Sequence, residues 1–403
     1  MKKKLSWTLI GNFSNSFSKW IILIIFINFL TTYDTGLYTF AFALTGPFIL
    51  FANMRLRIIY VVSELENFND YLVTRIITNI CAMFIISLIA FIFYENYLYI
   101  IIMVAFIKSI ELISDMLYAV LHRQNKFETI GKILLLKSLV TITAVLISTY
   151  LFSNIYISLV IYILVLITLL VIEYVYIKRY FTFKKIEGNE IKRILYAGVP
   201  LGLVQLVTSF TASLPVLFLE KTASIELIAV FSSINYLMVI ATMFMSTISQ
   251  VYLVNIKNKL ELKDYKGLRN LIYNKLLKIG ILFSFVGILF TSLLGSIFIE
   301  FIYGDVFAQY SGILVILSIA ILFNFISWIA DTVLMAMQYY KIQPIIAGIV
   351  FIIGLITTFL LVSQYSIYGA AYSLLIINIL QAILKLVFSQ ITLYKKEAIS
   401  LKE

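Results

Sequence analysis

Charge is scarce in this sequence: only 13% of its 403 residues are Asp, Glu, Lys or Arg. A soluble domain carries about a quarter, so a large water-exposed surface is excluded. There is one cysteine, Cys81, which rules out an intramolecular disulfide and a cysteine metal site. There is one histidine, His122, expected at headgroup level as a polar residue and not as a ligand or base. No Walker A loop, GxSxG elbow, HExxH helix or Gly-rich dinucleotide loop is present. No polar connection exceeds about twenty residues, the scale of a single membrane span, so the chain reads as a non-enzyme with no attached catalytic domain. A transporter of this kind driven by ATP would need a separate subunit.

What remains is apolar. Hydrophobic residues make up 62% of the chain, and the mean hydropathy is +1.03. Apolar runs repeatedly reach about 20 residues, the length of a membrane-spanning helix. They lack the alternation of a membrane barrel strand. The pattern predicts an all-α integral membrane protein with twelve spans, near 5–30, 36–62, 72–94, 97–121, 130–152, 155–177, 196–219, 224–255, 272–299, 309–338, 343–363 and 367–393. The basic start has no small-residue cleavage site and is read as part of a retained first span.

The connections alternate in charge. One set (TTYDTG, YEN, SNI, EKTASIE, the EFIYGDVFAQY region and SQYS) holds Lys221 against Asp34, Glu95, Glu220, Glu226, Glu300 and Asp305. The other set holds most of the 31 lysines and arginines, which predicts both termini and the basic connections in the cytoplasm. This asymmetry accounts for the net charge of +11 without a nucleic-acid partner, and it favours anionic membrane lipids. The connection at 179–195 divides the spans six and six. The expected organisation is an N-terminal bundle 1–178, a cytoplasmic linker 179–195, a C-terminal bundle 196–393 and a tail 394–403. Two such halves are parallel repeats about an axis along the membrane normal, with a central cavity.

An internal match supports the repeat. A shift of 193 residues lays NFSNSFSKW (12–20) on QLVTSFTAS (205–213), and pairs Gly36 with Ala229, Tyr38 with Phe231 and Leu44 with Leu237. A shift of 216 lays ISDML on IADTV and Asp115 on Asp331.

Several polar residues fall inside spans. Asn12, Asn15, Ser16 and Lys19 follow i, i+3, i+4, i+7 and form one stripe; Gln205, Thr208 and Ser209 repeat most of it. A mid-span lysine costs roughly 2.5–3.5 kcal/mol unless it meets water or a counter-charge, so Lys19 is expected in a cavity. Lys108, Glu111 and Asp115 share one face of span four. They read either as a self-neutralising helix lock or as a cavity wall whose neighbouring acids titrate. Glu111, Asp115 and Asp331 are therefore candidates for coupling to H+ or Na+. Asp331 needs a partner from another helix or a proton. Arg55 and Arg57, near the end of span two, are cavity candidates or snorkelling residues. Lys385 is read as snorkelling, and Lys137 and Glu173 as interface residues. Gly46-Pro47 and Pro215 should bend their helices. Tyr94/Tyr97/Tyr99 and Tyr339/Tyr340 read as aromatic anchors.

TGLYTFAFALTGPFILFANMRLRIIYV in span two, and the run YGDVFAQYSGILVILSIAILFNFISWIADTVLMAMQYYKIQPIIAGIVFIIGLITTFLLVSQYSIYGAAYSLL, resemble the Wzx-type polysaccharide flippases. These share a superfamily with lipid II flippases and multidrug and toxin extruders. The resemblance covers essentially the whole chain, through diffuse motifs. It implies two six-helix bundles around a cavity, alternating access, and no cofactor beyond a coupling ion. The implied substrate is an undecaprenyl-diphosphate-linked oligosaccharide for O-antigen or capsular polysaccharide. Polysaccharide polymerase and glycosyltransferases are the implied partners of a monomer. Relatives carry cavity-facing cations on their first two spans; Lys19 and Arg55 or Arg57 occupy comparable places, with Lys108 added from the residues themselves. The repeat has Ala212 where Lys19 would recur, so the cavity is expected to be more positive on its N-terminal side. The alternatives are an ion-coupled small-molecule extruder, which would favour an acidic cavity, and a structural subunit whose charges only join helices.

Overall fold

The computed structural model describes residues 2–63, 67–182, 185–337, 339 and 342–400; Tyr340 lies outside the described residues. The chain forms two compact units, Met1–Ser213 and Leu214–Glu403. The described residues are helical, with no strand among them.

The first unit holds α1 (Lys2–Phe29), α2 (Thr32–Asn53), α3 (Leu56–Val62), α4 (Phe68–Phe93), α5 (Leu98–Arg123), α6 (Phe127–Phe152) and α7 (Ile155–Ile177), with the first part of α8 (Gly188–Thr222). Local sequence sets the starts. Thr31, Asn67 and Asn154 each accept a backbone N–H from the first turn of the helix that follows them. Helix α5 packs against α2, α3, α4, α6 and α7 and is the centre of the unit. The one helix with three mid-span charges is thus the one most surrounded by protein. Helix α4 turns Ile80, Phe84, Phe91 and Phe93 outward, as a lipid-facing span must.

The second unit holds the rest of α8, then α9 (Ile225–Glu261), α10 (Tyr265–Arg269) and a π-helical stretch, Asn270–Leu276. Helices α11 (Leu277–Tyr303), α12 (Asp305–Ala308), α13 (Ser311–Ala336) and α14 (Gln343–Ser400) follow. Helix α13 is its centre, against α9, α11 and α14. The long α14 is two helices joined at Ser366, where φ is 50°.

Among the described residues, ten helical stretches are long and apolar enough to cross a membrane. Helix α5 stands outside that set because of Lys108, Glu111 and Asp115, although its 26 residues span a bilayer. The stretch Gln343–Ala398 is double length and broken at Ser366. Twelve spanning segments therefore lie along the described residues, in the order the hydropathy predicts. The 193-residue offset recurs in the backbone. Thr31 precedes α2 with φ −73° and ψ 154°, and Ser224 precedes α9 with φ −76° and ψ 157°. The buried run Thr35–Ala41 matches Ile228–Phe231, Ser233 and Ile234.

One detail differs from expectation. The units divide at Ser213/Leu214, inside α8 and downstream of the 179–195 connection. The N-terminal part of α8 docks in the first unit because Gly202 has no side chain: a Cβ there would meet the Phe51 carbonyl oxygen at 2.8 Å. Helix α2 continues through Pro47 and α8 through Pro215. Span two is interrupted seven residues later, at Met54 and Arg55, with φ of 45° and 51°. Two successive non-glycine residues in the left-handed region cost roughly 1–2 kcal/mol each, so the surroundings must hold this corner.

Candidate functional site

The corner frees backbone carbonyls at the end of α2, and buried side chains take them up. Arg75, fully buried on α4, donates from Nη1 to the Ala52 oxygen at 2.9 Å. Thr78, one turn on, donates to the same oxygen at 3.1 Å. Pro47 brings no N–H to the Ala43 carbonyl; the Ser213 hydroxyl donates there instead, at 3.0 Å.

The corner also delivers a cation to α5. Arg57 donates from Nη1 to Asp115 Oδ1 at 2.7 Å, with both side chains partly exposed. One turn away, Lys19 on α1 meets Glu111 Oε2 at 2.7 Å; the two side chains are 23% and 20% exposed. Lys108 is buried deeper, with Nζ 2.5 Å from the Phe42 carbonyl oxygen and 3.5 Å from the centre of the Phe42 ring. The face of α5 expected from the sequence is thus a ladder of Lys108, Glu111 with Lys19, and Asp115 with Arg57. Each carboxylate has its own cation, which offsets the repulsion expected between two acids a turn apart. Desolvated pairs of this kind contribute little net stability, but losing one partner is costly. The charges pair across helices, and the two ion pairs remain partly exposed.

The polar stripes take up positions in the first unit. Asn12 is exposed, and Asn15 and Ser16 are half-buried beside Lys19. Gln205 and Ser209 are half-buried and Thr208 is exposed on α8. Thr208 donates to its own helix at Val204, at 2.8 Å. Gln205 Oε1 is buried with no hydrogen-bond partner among the described residues. A Cβ on Gly46 would lie 3.4 Å from Ser209 Oγ and 3.6 Å from Lys108 Nζ, so α2, α5 and the α8 stripe converge at that glycine. Arg55 is exposed and forms no ion pair among the described residues.

Two readings of single residues are corrected. Lys137 and Glu173 are not interface residues: both are buried, and they pair at 3.3 Å between α6 and α7. Tyr118 donates to the same Glu173 oxygen at 2.5 Å, and Lys137 donates to Ser114 at 2.8 Å. Lys385 does not snorkel alone. Its Nζ lies 3.4 Å from Asp331 Oδ1, which supplies the partner Asp331 requires, and Gln343 donates to the same oxygen at 3.4 Å. His122 is half-buried, with its ring against Phe127.

The sequence reading missed Arg75 and the Tyr118–Glu173–Lys137 network. A lone arginine inside DYLVTRIITN was the available signal for the first. Among the described residues no group of His, Cys, Asp and Glu is placed to hold a metal ion.

A family model described as polysaccharide biosynthesis protein matches residues 1–254, which include the whole α1–α5 ladder. The capsular polysaccharide biosynthesis protein CapF of Staphylococcus aureus is 24% identical over 385 residues, covering 93% of this chain and 96% of that relative. Among solved structures, the lipid II flippase MurJ in an inward closed conformation aligns with a TM-score of 0.73 at 16% identity, over 98% of this chain and 90% of that one. An inward-facing multidrug resistance MATE family transporter of the MOP superfamily aligns at 0.66 and 11% identity, over 97% and 96%. At such identities the structural likeness is one of fold, and it extends over the full length of these membrane transporters. The chain belongs to the polysaccharide biosynthesis protein family, and its fold is similar to those of the MurJ and MATE family structures.

Proposed function

We propose that this protein is a flippase that moves an undecaprenyl-diphosphate-linked oligosaccharide repeat unit across the plasma membrane by alternating access, for a capsular or O-antigen polysaccharide. The observation that carries the reading is Lys19: a mid-span lysine, partly exposed, on a polar stripe and beside a second open ion pair. A diphosphate offers both cations an anion that competes with Glu111 and Asp115. Lysine would hold it as a point charge, and Arg57 through a planar fork. Sugar hydroxyls need polar partners, because each unpaired one costs roughly 2–7 kcal/mol in hydrocarbon; the Asn12, Asn15, Gln205 and Thr208 stripes supply amides and hydroxyls. The prenyl tail stays in lipid. Both termini lie in the cytoplasm, following the basic connections. Protonation or sodium binding at Glu111, Asp115 or Asp331 couples the cycle to an ion gradient.

Deletion in a host with one defined surface polysaccharide and no second flippase tests this reading. Loss of surface polymer with accumulation of the lipid-linked unit on the cytoplasmic side is expected; normal polymer refutes it. The extruder alternative shares the fold and predicts altered drug susceptibility with normal polymer.

A further inference from the structure

Arg75 heads the fully buried side chains by volume. Its Nη1 is spent on the Ala52 carbonyl. Its Nε and Nη2 are also buried, and neither has a hydrogen-bond partner among the described residues. Those two nitrogens form one edge of the guanidinium, the edge that grips a carboxylate with two parallel N–H···O bonds. A buried cation with that fork bare is costly, so the fork calls for an occupant in another state of the protein.

The surrounding acids narrow the choice. Asp70 accepts the Glu187 backbone N–H, Glu173 is held by Tyr118 and Lys137, and Glu111 is held by Lys19. Asp115 is different. It is a third exposed, it stands on α5 against α4, and it acts on Arg75 electrostatically. Its present partner, Arg57, lies just beyond the left-handed corner whose carbonyl Arg75 holds.

We propose that Asp115 has two docking positions: it rests on Arg57 when that guanidinium is empty, and it transfers to Nε and Nη2 of Arg75 when a phosphate anion takes Arg57. The choice of anion rests on the function proposed above; the second docking position does not. Asp115 stays paired in both states, so the anion need not leave a carboxylate stranded. Because Arg75 also holds Ala52, the transfer reports occupancy of Arg57 to the corner of span two.

Thermal unfolding of the purified full chain in detergent tests the second position without ligand. Arg57→Ala removes the first partner. Arg75→Lys keeps the charge and loses the two-nitrogen edge. In the R57A background R75K should lower Tm by roughly twice its effect in the native background, or more, and D115N should erase the difference. Equal shifts in both backgrounds overturn the proposal, as does an enhanced shift that survives D115N. D115N alone gives a measurement with Arg75 intact: in R57A it should lower Tm, and an unchanged or raised Tm overturns the proposal. Inorganic pyrophosphate should raise Tm of the native chain and lose that effect in R57A. No pyrophosphate effect, with the R57A result intact, overturns phosphate as the displacing ligand and the diphosphate reading with it, while Asp115 keeps its two positions.

Discussion

The two units share local architecture and differ in charge. Each has a central helix with an aspartate at matched positions, Asp115 on α5 and Asp331 on α13, and the first long helix after each half's opening span follows an extended residue of nearly the same backbone conformation. Among the described residues of the first unit, three ion pairs join helices: Lys19–Glu111, Arg57–Asp115 and the buried Lys137–Glu173. In the second, among the described residues, Lys385–Asp331 is the pair between spans, with Arg269–Glu397 toward the end of α14. Span two carries a proline and a corner, whereas α9 runs 37 residues as one helix. The second unit therefore forms its helical bundle with fewer ion pairs between spans among the described residues.

The largest test of this contrast is in the buried network. Glu173→Ala strands Lys137 away from water and should cost about 3–5 kcal/mol, read as loss of thermal stability in detergent. Asp331→Ala, at a longer and more exposed pair, should cost about 1 kcal/mol or less. Equal losses would erase the distinction between the units.

Close packing gives the next effect. A Cβ on Gly131 would fall 2.4 Å from the Trp7 carbonyl oxygen, and one on Gly280 would fall 2.2 Å from the Phe325 ring. Backbone cannot step aside as a ring can. Gly131→Ala should destabilise by about 1–3 kcal/mol, toward the upper end of overpacking, and Gly280→Ala by less.

For transport, Lys19→Ala should cut surface polymer about tenfold at unchanged abundance, the equivalent of roughly 1.4 kcal/mol. Lys19→Arg should retain most of it. Ala212→Lys, which restores the cation at the matched position of α8, should not rescue Lys19→Ala. Rescue would mean that the two stripes are interchangeable.

The smallest effect concerns Pro47. Ser213→Ala leaves the Ala43 carbonyl bare and should cost about 1 kcal/mol. In a Pro47→Ala background, where an N–H returns to that carbonyl, the same change should be nearly silent.

Much of this was legible in the sequence. Spans follow from apolar length, and the Lys19 stripe and the α5 face follow from helical spacing, since residues on one helix keep their angular relation wherever the helix goes. Contacts between helices were not legible. Lys137 and Glu173 look peripheral when each is measured from the end of its own span, and only the register of α6 against α7 brings them together. Lys385 looked solitary for the same reason. The corner at Met54–Arg55 escaped because neither residue favours it. It is imposed by Arg75 and Thr78 from α4 and by the close approach of α8 at Gly202, while the proline that advertised a bend is accommodated by a hydroxyl from α8.

The crossing of α1 and α6 has a mechanical consequence. Gly11 and Gly131 meet there with no side chain between them: a Cβ on Gly11 would lie 2.8 Å from the Gly131 Cα. Helix α1 leans chiefly on α6 and only lightly on α2, its neighbour in the chain. Helices that touch at bare backbone come as close as two helices can, and any side chain added there would push them apart. Lys19 sits about two turns along α1 from that crossing, so the closeness of the two glycines sets where its ammonium stands relative to Glu111.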